Sequence, residues 1–211
     1  SVYGGGMGKF KDENGNVLET SKAVALGLVK GNTNVTINNG TIYHNIYGGG
    51  TYGSVGDFTY DATTGMPTAL ATANTGACTV TISGGTVGSN GKENGMVFGS
   101  SRGDVATPEG EPAVDPNDRM AWVYSTHVII GDAGAATSPA VKGSVYGSGE
   151  NGHTFQNAVV DINKGKIGIT DTSVDGGAAY AYRGNVYGGG CGTDTYDSNS
   201  DGIKDKYNPL A

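Results

Sequence analysis

The sequence predicts an all-β fold, a parallel β-helix or closely related β-solenoid with polar loop insertions. Three observations predict it. A short apolar–aromatic–glycine motif recurs along the chain, an alternating valine and isoleucine motif precedes most copies of it, and 39 of the 211 residues are glycine. Average proteins contain roughly 7% glycine, and self-similarity at a fixed period is typical of architectures that stack repeated units.

The first motif places an aromatic residue between an apolar residue and small residues. Its aromatic positions are 41 to 51 residues apart, which divides residues 1–211 into four units of about 46 residues within a single domain. The uneven spacing indicates insertions at loops. The five copies are Val2-Tyr3-Gly4-Gly5-Gly6, Ile46-Tyr47-Gly48-Gly49-Gly50, Val97-Phe98-Gly99-Ser100-Ser101, Val145-Tyr146-Gly147-Ser148-Gly149 and Val186-Tyr187-Gly188-Gly189-Gly190.

The second motif is a strand with period-two alternation, a corner that carries glycine, and a second short strand. Glycine supplies the positive φ that a tight corner demands. Since such short strands cannot bury an apolar face alone, stacking of the units would build the core. A sandwich of short strands is the alternative. The copies are 35–42, 80–87 and 160–167, with a weaker one from Val128.

Polar insertions interrupt the repeats at about 9–21, 57–75, 103–119 and 192–208. The third is rich in proline and acidic residues, which resist strand pairing because proline has no amide hydrogen. Helix signal is weak, and its best candidate, around 22–29, is interrupted by Gly27. Both ends carry the repeat rather than an atypical cap, so we expect an excerpt of a longer array with further coils on both sides.

Composition excludes several classes of protein. The net charge is −7, from 13 basic and 20 acidic residues, which argues against a nucleic-acid partner. No stretch approaches the roughly 18 apolar residues that indicate a membrane-spanning helix. Cys78 and Cys191 are the two cysteines, too few for a disulfide framework, and their spacing does not establish a bridge.

One run of residues has the pattern of a calcium loop. Asp197, Asn199 and Asp201 stand at the first, third and fifth positions, Gly202 is sixth and Asp205 is ninth. Oxygen ligands at this spacing, with glycine at the bend, are typical of Ca²⁺ loops. The twelfth position is Asn208 instead of glutamate, so the run resembles the aspartate-rich repeats of thrombospondin type 3 and dockerin-like modules. A polar Asx turn without an ion is the alternative. The candidate ligands are Asp197, Asn199, Asp201, Ile203 and Asp205.

The sequence contains two matches to catalytic or cofactor-binding motifs, and neither has the structural context that its chemistry requires. Residues 99–103 fit the nucleophile-elbow pattern and 48–53 a dinucleotide fingerprint, but neither precedes the helix that its chemistry needs. His44, His127 and His153 are scattered without partners at metal spacing. Carboxylate pairs that act on sugars remain open, because residues far apart in sequence can meet on one face. Exposed aromatics such as Trp122, Tyr124, Tyr180 and Tyr182 would suit sugar rings or core packing.

The Val-Tyr-Gly-Gly-Gly and Val-Thr-Ile-x-x-Gly-Thr-Val motifs resemble the repeats of the very large, glycine-rich, adhesin-like surface proteins of gut Bacteroidetes. The resemblance implies a secreted or cell-surface scaffold and brings no catalytic residues. A stalk or filament is a separate expectation, because stacked coils would form a stiff rod and uncapped coils expose strand edges that invite end-to-end assembly. We therefore expect an extracellular structural or adhesive protein. A polysaccharide-active β-helix enzyme and a carbohydrate-binding module are the alternatives. Expected partners are neighbouring copies or further repeats end to end, and a host surface or glycan.

Overall fold

A computed structural model describes residues 1–89, 94–103, 119–169, 183–196 and 206–210. The described part contains one short helix and many short strands. In chain order they are β1 Val2–Tyr3, α1 Thr20–Ala25, β2 Thr33–Ile37, β3 Thr41–Ile42, β4 Ile46–Tyr47, β5 Phe58–Tyr60, β6 Pro67–Leu70, β7 Ala77–Ile82, β8 Thr86–Val87, β9 Val97–Phe98, β10 Trp122–Val123, β11 Ser125–Ile130, β12 Ala140–Val141, β13 Val145–Tyr146, β14 His153–Thr154, β15 Ala158–Ile162, β16 Lys166–Ile167, β17 Val186–Tyr187, β18 Gly192–Tyr196 and β19 Lys206–Leu210.

Three parallel sheets arrange the repeated motifs side by side. The aromatic motif forms a five-stranded sheet in the order β1-β4-β9-β13-β17. The alternating motif forms two four-stranded sheets, β2-β7-β11-β15 and β3-β8-β12-β16. Pairing is in register with the repeat, since Val80 lies opposite both Val35 and Val128. We call each set of three consecutive strands, such as β2, β3 and β4, a unit, and the parallel arrangement of units the stack.

Alternation and glycine corners explain the local structure. In β7, Cys78, Val80 and Ile82 are buried, while the residues between them are partly exposed, as expected where successive side chains point to opposite faces. Between β7 and β8, Gly85 adopts a φ of +83°, a conformation that glycine enters without steric cost. The valine and isoleucine side chains that face inwards form one continuous cluster between the three sheets.

A second cluster consists of stacked aromatic rings from the five-stranded sheet. Tyr3, Tyr47, Phe98, Tyr146 and Tyr187 lie one on the next, with ring centroids 4.7 to 5.0 Å apart and near-parallel planes. This spacing matches the separation of neighbouring strands in a sheet, about 4.8 Å. The register of the sheet therefore fixes the stacking of the rings.

The predicted fold class is wrong and needs correction. The sequence predicts an all-β parallel β-helix or β-solenoid, whereas the described residues form separate parallel sheets of five, four and four strands beside a helix, an α/β-like arrangement. No closed solenoid is found within the described ranges. The physical reason is local: Gly85 and Gly88, both with positive φ, flank the two-residue strand β8 and turn the chain from one sheet to the next.

The insertions contain structure of their own. The segment 57–75 includes the antiparallel pair β5 and β6, and the segment 192–208 begins with β18, which pairs antiparallel with β19. Helix α1 starts at the end of the first insertion and stops at Leu26, just before Gly27 with a φ of +69°. No helix in the described part of the chain is long and apolar enough to cross a membrane.

Candidate functional site

Backbone-to-backbone contacts at glycine join the units of the five-stranded sheet. The first glycine after each of the first four aromatic residues faces the carbonyl oxygen of its counterpart in the next unit. A Cβ atom at Gly48 would lie 2.2 Å from the oxygen of Gly99, and one at Gly99 would lie 2.1 Å from the oxygen of Gly147. Gly4 and Gly147 make the same approach, to Gly48 and Gly188. Any side chain at these positions would force neighbouring units apart.

One side of the stack has no neighbour of this kind. We define the terminal face as the outer edges of β15, β16 and β17 together with Gly188 and Gly189. Val159, Ile162 and Val186 are 43%, 44% and 46% exposed, although the inner counterparts of Val186, which are Val97 and Val145, are fully buried. Among the described residues, no atom lies within 4 Å of a Cβ built at Gly188 or Gly189. The terminal face therefore combines strand edges, apolar side chains and bare backbone.

A hydrogen-bonded cluster lies beside the aromatic stack. The backbones of Thr51, Arg102, Glu150 and Cys191 pair in a row across four units. Oε2 of Glu150 accepts hydrogen bonds from the Tyr47 hydroxyl at 2.5 Å and from Arg102 Nε at 3.1 Å. Burial and the adjacent Glu150 carboxylate raise the pKa of Tyr47 far above its usual range. This geometry holds a neutral phenol and an ion pair in place, and thereby ties non-adjacent units together.

An open cleft of about 440 Å³ adjoins this cluster where the chain leaves the stack after Cys191. The Trp122 ring stacks on the His153 ring at a centroid distance of 4.5 Å, and the hydroxyls of Ser148 and Thr154 are hydrogen-bonded to each other. These four side chains of the cleft lining are thus stacked on or hydrogen-bonded to each other. The rings of the main stack are likewise covered by their neighbours, so the described aromatics do not form an exposed coplanar row.

The predicted calcium ligands lie outside the described residues. Asp197, Asn199, Asp201, Ile203 and Asp205 belong to the segment that connects β18 to β19, and the structure describes only the two flanking strands. Within the described ranges, no group of three histidine, cysteine, aspartate or glutamate side chains is placed to hold a metal ion. The calcium site therefore stays a prediction.

Other candidate residues have defined surroundings. Cys78 and Cys191 are free and buried, 1% and 4% exposed. His127 Nε2 lies 2.8 Å from Asp161 Oδ2, between β11 and β15, so this histidine has a carboxylate partner that sequence inspection missed. Tyr124 stacks on Phe155, while Tyr180 and Tyr182 fall outside the described residues.

Sequence reasoning also missed the role of Glu150. The available signal was positional: Arg102 and Glu150 follow the aromatic residue of their motifs by the same four positions, which places opposite charges in adjacent units of a parallel array. Comparison with protein-family models, with curated proteins and with solved structures found no match for the chain.

Proposed function

We propose that the chain is an extracellular structural scaffold that bears load along its stack of units and displays polar insertions for adhesion, without catalysing a reaction. The observation that carries the proposal is the uninterrupted column of five aromatic rings at 4.7 to 5.0 Å. It runs beside three parallel sheets in which every unit is hydrogen-bonded to the next. Quasi-one-dimensional arrays of this kind are stabilised by contacts between nearest neighbours.

Two further features support a mechanical role. Glycine contacts bring the backbones of successive units together without intervening side chains, which leaves no compliant layer between them. The Tyr47–Glu150 bond spans a full intervening unit, so it resists separation of units that do not touch directly. Location outside the cell is supported by the resemblance to glycine-rich surface proteins and stays a proposal.

Single-molecule pulling tests this function. Handles are attached at Ser1 and Asn185, so that force passes through the whole stack of the 211-residue chain. We expect the stack to resist as a unit and to rupture in a discrete event at high force. Gradual extension at low force, without discrete events, would overturn the load-bearing role.

A second assay addresses catalysis. The 211-residue chain is incubated with a panel of plant and host polysaccharides, and new reducing or unsaturated ends are measured. We expect none above the level of a heat-denatured sample, because the described Glu150 carboxylate is already held by Tyr47 and Arg102. Sustained release of such ends would favour the polysaccharide-active enzyme instead.

A further inference from the structure

Two pairs of tyrosines lie face to face within the aromatic stack, and Phe98 separates one pair from the other. Tyr3 and Tyr47 are register partners on β1 and β4, with ring centroids 4.7 Å apart and planes inclined by 4°. Tyr146 and Tyr187 are the equivalent partners on β13 and β17, at 5.0 Å and 12°. Because parallel strands paired in register stack identical side chains on one another, the two rings of each pair present equivalent atoms to each other.

Adjacent phenol rings are joined by one-electron oxidation. Each phenol gives up one electron and its hydroxyl proton and becomes a neutral phenoxyl radical, whose unpaired electron is shared between the oxygen and the ortho and para ring carbons. The para carbon already bears the side-chain Cβ, so two radicals form a carbon–carbon bond between ortho carbons. The hydrogen on each of these carbons then moves to its phenol oxygen. The product, dityrosine, has lost two protons and two electrons in all.

The pair of Tyr3 and Tyr47 has a proton acceptor in place. Oε2 of Glu150 accepts the hydrogen bond of the Tyr47 hydroxyl at 2.5 Å, so the proton can move to this carboxylate as the electron leaves, and no positively charged phenol has to form. Asn45 Nδ2 donates to the same hydroxyl oxygen at 3.3 Å and can go on donating to the radical oxygen. The hydroxyl of Tyr146 is instead hydrogen-bonded to the Cys191 thiol, which is not a base while it is neutral.

The stack also restricts the partners of a radical on Tyr47. This ring is 1% exposed and lies between Tyr3 at 4.7 Å and Phe98 at 4.9 Å. Phe98 has no hydroxyl and forms no phenoxyl radical, so Tyr3 is the one neighbour in the stack with which Tyr47 can couple. Holding two reactants side by side raises their effective concentration far above that of free tyrosines in solution. A tilt of the Tyr3 ring about its side-chain torsions then brings the ortho carbons into contact.

We propose that Tyr3 and Tyr47 form an oxidative cross-linking site, at which a small one-electron oxidant converts the pair into dityrosine. Tyr47 gives its proton to Oε2 of Glu150, Tyr3 gives its proton to solvent, and the two electrons pass to two equivalents of the oxidant. The new bond joins β1 to β4 and so ties two neighbouring units together covalently. Its purpose, reinforcement of a stack that bears load, rests on the scaffold function proposed above.

Photochemical oxidation tests the site. The 211-residue chain is illuminated in dilute solution with ruthenium tris-bipyridine and persulfate, which generate a one-electron oxidant that acts without entering the core. Trypsin then releases residues 1–9, which contain Tyr3, and residues 31–92, which contain Tyr47. We expect these two peptides to be joined with the loss of two hydrogen atoms, and fragmentation in the mass spectrometer to place the bond between Tyr3 and Tyr47.

Three variants, each checked for folding by circular dichroism, separate the contributions. Tyr3→Phe keeps the stacked ring but forms no phenoxyl radical, so the joined peptides should disappear. Tyr43→Phe is the matched control, because Tyr43 belongs to the same tryptic peptide as Tyr47 but is 68% exposed, and its loss should leave the yield unchanged. Glu150→Gln keeps an oxygen that accepts the hydrogen bond and removes the base, so the cross-link should form at least about tenfold more slowly.

Several results would overturn the inference. Absence of the joined peptides from the folded parent chain is one, and an equal yield from the parent chain in denaturant is another, because the stacked geometry would then contribute nothing. Equal rates for Glu150→Gln and the parent would reject Glu150 as the proton acceptor. The pulling experiment uses the unoxidised chain, so the two proposals fail separately. Discrete rupture without a cross-link retains the scaffold function, whereas a cross-link in a chain that extends gradually retains the oxidation site alone.

Discussion

The hydroxyl of Tyr47 donates a hydrogen bond to Oε2 of Glu150, although the two residues are 103 positions apart in the chain. The ring between Tyr47 and Tyr146 in the stack is Phe98, which has no hydroxyl of its own. Arg102, which follows Phe98 by four residues, donates to the same Glu150 oxygen. Three consecutive units are thereby joined through one carboxylate that is largely shielded from solvent, with 14% of its side chain exposed.

Loss of this hydroxyl should destabilise the chain. The substitution Tyr47→Phe keeps the stacked ring but removes the donor, which leaves Glu150 with Arg102 alone. Hydrogen bonds to charged groups contribute about 1.5 to 3 kcal/mol, so we expect the free energy of unfolding to fall by about that amount. Equilibrium denaturation in urea, followed by circular dichroism, measures the change.

The matched control is Tyr3→Phe, because Tyr3 is the partly exposed ring at one side of the stack. Its effect should remain within about 0.5 kcal/mol, as for most exposed positions. Equal losses for the two variants would show that the Tyr47–Glu150 bond contributes nothing beyond ring packing.

Alkaline pH should weaken the fold through the same tyrosine. Burial, together with the Glu150 charge, raises the pKa of Tyr47, and burial also raises the pKa of Tyr146. Because the folded state holds these phenols neutral, their contribution is complete below the unfolded pKa of about 10 and is lost as pH rises above it. We expect unfolding free energy to fall by about 1.4 kcal/mol per pH unit for each such group. Denaturation curves at pH 8 to 11.5 test this, and Tyr47→Phe should reduce the slope.

Glycine within the stack should be intolerant of even one methyl group. A Cβ at Gly99 would lie 2.1 Å from the carbonyl oxygen of Gly147, so Gly99→Ala must push two backbones apart. We expect a loss of about 3 kcal/mol or more, in the range of severe packing defects. Gly31→Ala, whose new methyl group meets no atom of the described part of the chain within 4 Å, should be neutral or stabilising by up to about 1 kcal/mol. Thermal melts of both variants measure these changes. A Gly99→Ala chain as stable as the parent would contradict the close approach of the Gly99 and Gly147 backbones.

Sequence reasoning located the repeated strands because their alternation is a local property. Val80 and Ile82 alternate with Thr79, Thr81 and Ser83, which predicts that the two apolar side chains face inwards, and both are fully buried. The predicted fold class was wrong because local sequence does not determine whether the strands close into one solenoid. Whether strands of two to six residues join into one continuous surface or separate sheets depends on the geometry at corners such as Gly85 and Gly88.

The contacts of the candidate site were less accessible to sequence reasoning. Arg102 meets Glu150 because the parallel register sets equal positions side by side, yet Tyr47 reaches Glu150 over an intervening unit. That second contact crosses the unit that contributes Phe98 to the stack, and no spacing in the sequence indicates it. The openness of Gly188 also required coordinates, since its motif is the same as that of Gly48.

Calcium should bind the segment of residues 197–205 if its oxygen pattern functions as the sequence predicts. We expect a saturable heat in calorimetric titration of the chelator-treated chain, and a rise in melting temperature, because a ligand that binds only the folded state stabilises it. The double substitution Asp197→Asn and Asp201→Asn should abolish both effects. Asp132→Asn, a change outside the loop, should leave them intact. If titration of the parent chain with calcium releases or absorbs no heat, residues 197–205 form a polar turn that binds no ion.

Both thiols should be protected in the folded chain. Cys78 is 1% exposed and Cys191 is 4% exposed. Burial raises the pKa of Cys78 to about 12 and also raises that of Cys191. Since the thiolate is the reactive form, an aromatic disulfide reagent at pH 8 should modify neither residue in the native chain and both in denaturant.

Single-thiol variants separate the two sites. Cys191→Ser leaves Cys78, which packs with Val55 and Val123, and its labelling should follow global unfolding. Cys78→Ser leaves Cys191 at the point where the chain departs from the stack, and its labelling should be faster, because local opening there disrupts fewer contacts. Rapid labelling of Cys78 without denaturant, at the rate of a free thiol, would contradict its burial between the units.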